Sequence, residues 1–305
     1  MKKLKILLAL ITQDNDYQRE QASVAEKTAQ RLGIDLQVLY ANGDAIAQTQ
    51  QILTSLRSPI EVRPDAVVVE PVGTGMLGVA KAAADSGIGW VALNRLAESL
   101  APLRLTSTAP MGSVDCDNVE VGRIQGRQFG ALLPSGGSVL YLEGASTDVS
   151  KQRRAGVAET VPANVDVKTV RGKWTEDSGF QAITSWLRVQ SSQTPDIGII
   201  GCQNDAMAMG ARKAVEQLTD ARLRELWLKV PFTGCDGVRE TGLVWIQKGL
   251  LTATVVTPAL SGVAIEMLAK AIATGTQLPE RTMMKPTSYP SIQELSAKAA
   301  ARPAG

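Results

Sequence analysis

The chain of 305 residues contains no histidine. That absence removes Ser-His-Asp and Cys-His nucleophile pairs, histidine-ligated zinc and an imidazole pH switch together. Cysteine is nearly as scarce. Cys116, Cys202 and Cys235 lie too far apart for a disulfide framework or a Cys-x-x-Cys metal site, so small buried thiols are expected. No stretch approaches the roughly 18 continuous apolar residues that span a bilayer. Net charge is also lacking: 32 Lys and Arg face 30 Asp and Glu, a balance of +2, whereas a duplex DNA binder needs a basic stripe to displace counterions. No nucleic-acid partner is expected.

Hydrophobic residues form 44% of the chain and charged residues 20%, ordinary values for a globular protein. At about 150 residues per domain, the length predicts two domains. Met1-Lys2-Lys3-Leu4-Lys5 followed by Ile6 to Ile11 begins like a secretory signal. The apolar run stops after about seven residues without an Ala-x-Ala site, so it reads as a first core strand.

Short apolar runs alternate with amphipathic ones, the pattern of parallel strands joined by crossover helices. The expected strands are Leu4 to Thr12, Asp35 to Tyr40, Asp65 to Glu70 and Ile88 to Leu93 in a first set. A second set comprises Ser138 to Leu142, Val165 to Val170, Asp196 to Gly201, Val230 to Cys235 and Thr252 to Val256. Helices are expected over Gln18 to Leu32, Ala45 to Leu56, Asn118 to Leu133 and Ala206 to Leu218. Near-continuous Val, Ile and Leu in the strands implies burial on both faces. Pro64-Asp65-Ala66-Val67-Val68-Val69 and Pro195-Asp196-Ile197-Gly198-Ile199-Ile200 each run into a loop and a Met- and Ala-rich helix, which suggests a duplicated architecture. Two open sheets with facing carboxyl ends would leave a cleft. The domain change is expected near Ser107 to Asp117, and no Gly/Ser-rich linker exists, which suits several crossing segments and a hinge.

Gly73-Thr74-Gly75-Met76-Leu77-Gly78 matches the dinucleotide fingerprint literally. It follows the third strand rather than the first, and no acidic ribose ligand lies about 20 residues on, so no nucleotide cofactor is expected. Val79 in place of Lys excludes a phosphate loop. Asp14-Asn15-Asp16 lacks the Gly and distal Glu of a calcium loop and reads as a polar strand end. No metal is expected.

Aromatic residues are only 4% of the chain, so their placement is informative. Trp90, Trp186 and Trp245 sit among apolar neighbours, but Trp174 lies between Arg171-Gly172-Lys173 and Thr175-Glu176-Asp177. Trp174 reads either as a surface ring covering a helix start or as a flat apolar plate, with Tyr17 as a second plate. Other strand ends finish in Asn94-Arg95, Gln203-Asn204-Asp205, Asp236-Gly237 and Thr257, and Lys151-Gln152-Arg153-Arg154 opens a helix. Guanidinium, amide and carboxylate groups in similar number suit a neutral ligand rich in hydroxyls.

On these residues the chain resembles the ribose-binding group of type I periplasmic sugar-binding proteins, whose fold also forms the effector domains of lac-repressor-type regulators. Gln203-Asn204-Asp205-Ala206-Met207-Ala208-Met209-Gly210 and Gly234-Cys235-Asp236-Gly237 carry the likeness, supported by Leu93-Asn94-Arg95, Asp117-Asn118, Arg153 and Ala253-Thr254-Val255. The resemblance implies an α/β fold of two similar doubly wound parallel-sheet lobes joined by a multi-strand hinge. The lobes would comprise residues 1–111 plus about 258–282, and 112–257 plus about 283–290, with 291–305 as an extension. It further implies that Asn15, Asn94, Arg95, Arg153, Asn204, Asp236 and Thr257 contact a small sugar or polyol, with Tyr17 and Trp174 stacking on it. The first loop reads Asn15-Asp16-Tyr17-Gln18 where the family has a second aromatic, and Asn94 stands where it has Asp, so the ligand is expected to differ from ribose or to bind in another anomeric form. The implied role is a receptor, without catalysis or cofactor, that serves an ABC-transporter permease and acts as a monomer. The location would be periplasmic or extracytoplasmic for a mature form, and cytoplasmic otherwise. A sensor partner of a membrane kinase, or an enzyme using Asp205 and Asp236, are the alternatives.

Overall fold

The computed structural model describes residues 3–73, 76–94, 100–189 and 197–301. The chain divides into two compact units, Met1–Cys116 with Ala259–Met284, and Asp117–Pro258 with Lys285–Gly305. It therefore passes from one to the other at 116/117, 258/259 and 284/285.

The first unit runs β1 (Lys5–Leu10), α1 (Asp16–Leu32), β2 (Asp35–Tyr40), α2 (Ala45–Leu56), β3 (Ala66–Val69), α3 (Leu77–Asp85), β4 (Gly89–Leu93), α4 (Ala101–Thr106) and β5 (Met111–Cys116). The second runs α5 (Asn118–Leu132), β6 (Gly137–Glu143), α6 (Asp148–Thr160), β7 (Val165–Arg171), α7 (Glu176–Val189), β8 (Ile199–Cys202), α8 (Asp205–Glu216), α9 (Ala221–Leu228), β9 (Phe232–Asp236), α10 (Gly242–Gln247) and β10 (Ala253–Val256). The chain then returns α11 (Leu260–Thr274) and β11 (Arg281–Met284) to the first unit, and ends with β12 (Thr287–Tyr289) and α12 (Ile292–Ala300) in the second.

Each unit is built on a six-stranded sheet, ordered β11-β5-β4-β3-β1-β2 and β12-β10-β9-β8-β6-β7. Pairing is parallel except at the β10–β12 edge. Central strands such as Ala66–Val69 and Gly89–Leu93 are buried along their whole length. Their apolar side chains feed two layers, one with α1 and α11 and the other with α2 and α3. Because successive strands are parallel, their carboxyl ends lie on one edge of each sheet, and polar residues gather there.

Three expectations needed correction. A division at 111/112 would cut β5, which pairs with β4 and β11 and stays whole with the first unit. This strand escaped the apolar criterion because it alternates Met111, Val114 and Cys116 with Ser113 and Asp115, both buried. The Asp115 carboxylate accepts from Ser113 Oγ at 2.8 Å and Arg281 Nε at 3.0 Å, which satisfies a charge that would otherwise keep the strand at the surface. The described part of the expected extension 291–305 belongs with the second unit: α12 packs on α5 and buries Leu295.

Glycines let α5 and α6 touch backbone to backbone. A Cβ on Gly122 would stand 1.9 Å from the Arg153 carbonyl oxygen, and one on Gly156 would stand 2.0 Å from that of Val119. This approach sets where Arg153 leaves its helix. Gly122→Ala should therefore lower unfolding stability by about 1–3 kcal/mol, read from the urea midpoint, because the extra methyl must push backbone apart.

Candidate functional site

In the first unit the carboxyl-end cluster is organised by Glu70, which immediately follows β3 and is buried. Its carboxylate accepts from Gln18 Nε2 at 2.7 Å and from Asn94 Nδ2 at 3.0 Å, and its carbonyl accepts from Gln48 Nε2 at 2.9 Å. Gln18 in turn accepts from the Ile11 amide at the end of β1, so three neighbouring strands are tied to one carboxylate. Asn94 also lies 3.4 Å from the Tyr17 hydroxyl, which brings two expected site residues together. Asn15 caps α1, its Oδ1 accepting from the Tyr17 and Gln18 amides at 2.9 and 3.3 Å. The acceptor expected to face a ligand is thus used to start the helix that presents Tyr17. Arg95 lies outside the described residues.

The second unit assembles a larger cluster. The Arg153 guanidinium is buried, with Nε donating to Asn118 Oδ1 at 3.0 Å and Nη1 donating to the Gln203 carbonyl. Its carbon lies 5.6 Å from the centre of the Trp174 ring, a cation–π contact. Trp174 packs against Gly144, where a Cβ would meet the indole at 2.1 Å. Only glycine at 144 leaves room for the ring. Asn204 caps α8 through Oδ1 and donates from Nδ2 to the Trp174 carbonyl at 2.9 Å. Gln203 accepts from the Gly144 amide at 2.9 Å and donates to the Ser150 carbonyl at 3.0 Å, locking the β6, α6 and β8 ends together.

Asp236 ends β9 and Thr257 follows β10, both buried, and the Thr257 amide donates to the Asp236 carbonyl at 3.0 Å. Asp236, Trp174 and Asn94 have φ of 116°, 70° and 54°. Such backbone is costly for residues with a side chain, and here it falls on three expected site residues at or just beyond the ends of strands. Backbone strain at these positions is invisible to composition or periodicity.

Asp205 does not fit the acid–base role considered for it. Its Oδ1 accepts from Thr254 Oγ1 at 2.7 Å and its Oδ2 from the Gly237 amide at 2.8 Å, so it holds the loop after β9 in shape. The three thiols are buried, and burial, with Asp205 nearby, pushes the Cys202 thiol well up, away from reactive thiolate. Among the described residues, no group of three or more His, Cys, Asp or Glu side chains could hold a metal ion.

Sequence reasoning missed Glu70 and Glu143 as members of these clusters. Glu70 is only the last residue of an expected strand, and Glu143 falls one residue beyond the expected end of another at Leu142. Their position at the carboxyl end of a parallel strand was the available signal.

Paired doubly wound units with mixed hydrogen-bonding groups and aromatic rings at their strand ends define the class as a two-domain α/β solute-binding protein. Residues 6–277 match the periplasmic binding protein domain family, and the chain belongs to it. That family consists of solute-binding receptors rather than enzymes. A D-apiose import binding protein of Paraburkholderia graminis is 25% identical over 288 residues, covering 91% of this chain and 85% of the relative. The galactofuranose-binding protein of Escherichia coli is 24% identical, covering 94% and 87%. An ABC-transporter periplasmic solute-binding protein from Actinobacillus succinogenes, solved with bound D-allose, superposes with a TM-score of 0.80 at 23% identity, covering 97% of this chain and all (100%) of that one.

Proposed function

We propose that this protein reversibly binds a small neutral carbohydrate, a monosaccharide or polyol, and delivers it unchanged to an ABC-type permease from a periplasmic or extracytoplasmic location. The observation that carries this reading is the Trp174 plate, seated on Gly144 with Arg153 against its ring and Asn204 on its backbone. An indole covers the apolar face of a sugar ring while guanidinium, amide and carboxylate groups take its hydroxyls. Arg153, Asn204, Asp236 and Thr257 from the second unit, with Asn15, Tyr17, Asn94 and Arg95 from the first, are the proposed ligand-binding residues. Relatives named for D-apiose and galactofuranose support the ligand class.

A thermal-shift screen against neutral pentoses, hexoses and polyols tests the reading. A ligand at a hundred times its Kd adds about 2.7 kcal/mol to native stability, so a true ligand should raise Tm by several degrees. A flat response across the panel, or conversion of a sugar to product, would count against it.

A further inference from the structure

Glu143 stands at the carboxyl end of β6, which lies between β8 and β7 in the second unit's sheet. Its side chain is only 7% exposed, yet Oε1 is buried with no hydrogen-bond partner. The nearest cation, Arg154 Nη1, is 3.6 Å away on a side chain that is 54% exposed, beyond hydrogen-bonding distance. A buried carboxylate oxygen left without a donor is costly, and a ligand hydroxyl would supply one. The next residue, Gly144, is the seat of Trp174 and is bonded to Gln203, whose carbonyl receives Arg153. Glu143 therefore immediately precedes the residue on which the plate rests.

We propose that Glu143 is a specificity-determining residue, its Oε1 accepting a hydroxyl hydrogen from the bound carbohydrate. This rests on the carbohydrate-binding reading above and deepens it. An acceptor-only carboxylate rewards a ligand that offers a donor there and rejects one that brings negative charge. With Asp236 buried at the end of β9, two strands away in the same sheet, the site selects neutral polyhydroxylated ligands over uronic acids and sugar phosphates.

The test combines Glu143→Gln with Arg154→Gln, each titrated calorimetrically with the sugar that gives wild-type protein its largest thermal shift, and melted without ligand. Gln keeps the volume and removes the charge. Glu143→Gln is expected to weaken binding by about tenfold or more while the ligand-free Tm stays level or rises, because an unsatisfied buried charge has gone. Arg154→Gln should leave affinity within about twofold, as expected of an exposed ion pair. Unchanged affinity in Glu143→Gln, or a lowered ligand-free Tm matched by Arg154→Gln, would make Glu143 a structural partner of Arg154 and overturn the proposal. Tighter binding of uronic acids than of neutral sugars by wild-type protein would overturn it equally. If wild-type protein binds no neutral sugar at all, the carbohydrate reading itself fails, and the role of Glu143 falls with it.

Discussion

Asp236→Asn should weaken carbohydrate binding by about tenfold or more while leaving the fold and its stability close to wild type. Asp236 ends β9 at φ 116°, and asparagine matches aspartate in shape and volume, so the substitution brings no new steric demand to that backbone. Its carbonyl remains held by the Thr257 amide. What disappears is charge. Hydrogen bonds to ionised groups contribute about 1.5–3 kcal/mol, and 1.4 kcal/mol is a factor of ten in affinity. Calorimetric titration reads the change; an affinity within twofold of wild type would remove Asp236 from the binding residues.

Asp205→Ala should do the reverse in kind, lowering unfolding stability by about 3–5 kcal/mol. Truncation strands the Thr254 hydroxyl and the Gly237 amide, both bonded to this buried carboxylate, at about 1–3 kcal/mol each, and leaves a void between Gly234 and Gly242. Relief of the buried charge offsets only part of this, since breaking a buried polar cluster by deleting one partner is costly. The urea midpoint checks the prediction, and a shift equivalent to less than 1 kcal/mol would contradict it. Asp205 and Asp236 thus separate by experiment: one changes stability and the other affinity.

The layering of the fold was legible because burial on both faces leaves parallel strands almost purely apolar. β2 and α2 were read with the bounds that the structure gives, Asp35–Tyr40 and Ala45–Leu56. β5 was not, because Asp115 is made tolerable inside by Arg281, 166 residues away in sequence. No local pattern carries that information. The same reason hid Glu70: its meaning lies in Gln18 and Asn94, which reach it from other elements. Rim positions that follow a strand were legible from position alone, but the work their side chains do inside the chain was not: the side-chain oxygens of Asn15 and Asn204 cap α1 and α8.

The central claim is that this protein is a reversible receptor for a neutral sugar or polyol. Isothermal titration calorimetry of the wild-type protein with the best ligand from the screen, followed by recovery and mass analysis of that ligand, tests it most directly. The account predicts saturable binding of one molecule per chain, with the sugar recovered intact. Heat without saturation, or a sugar recovered in altered form, would contradict it.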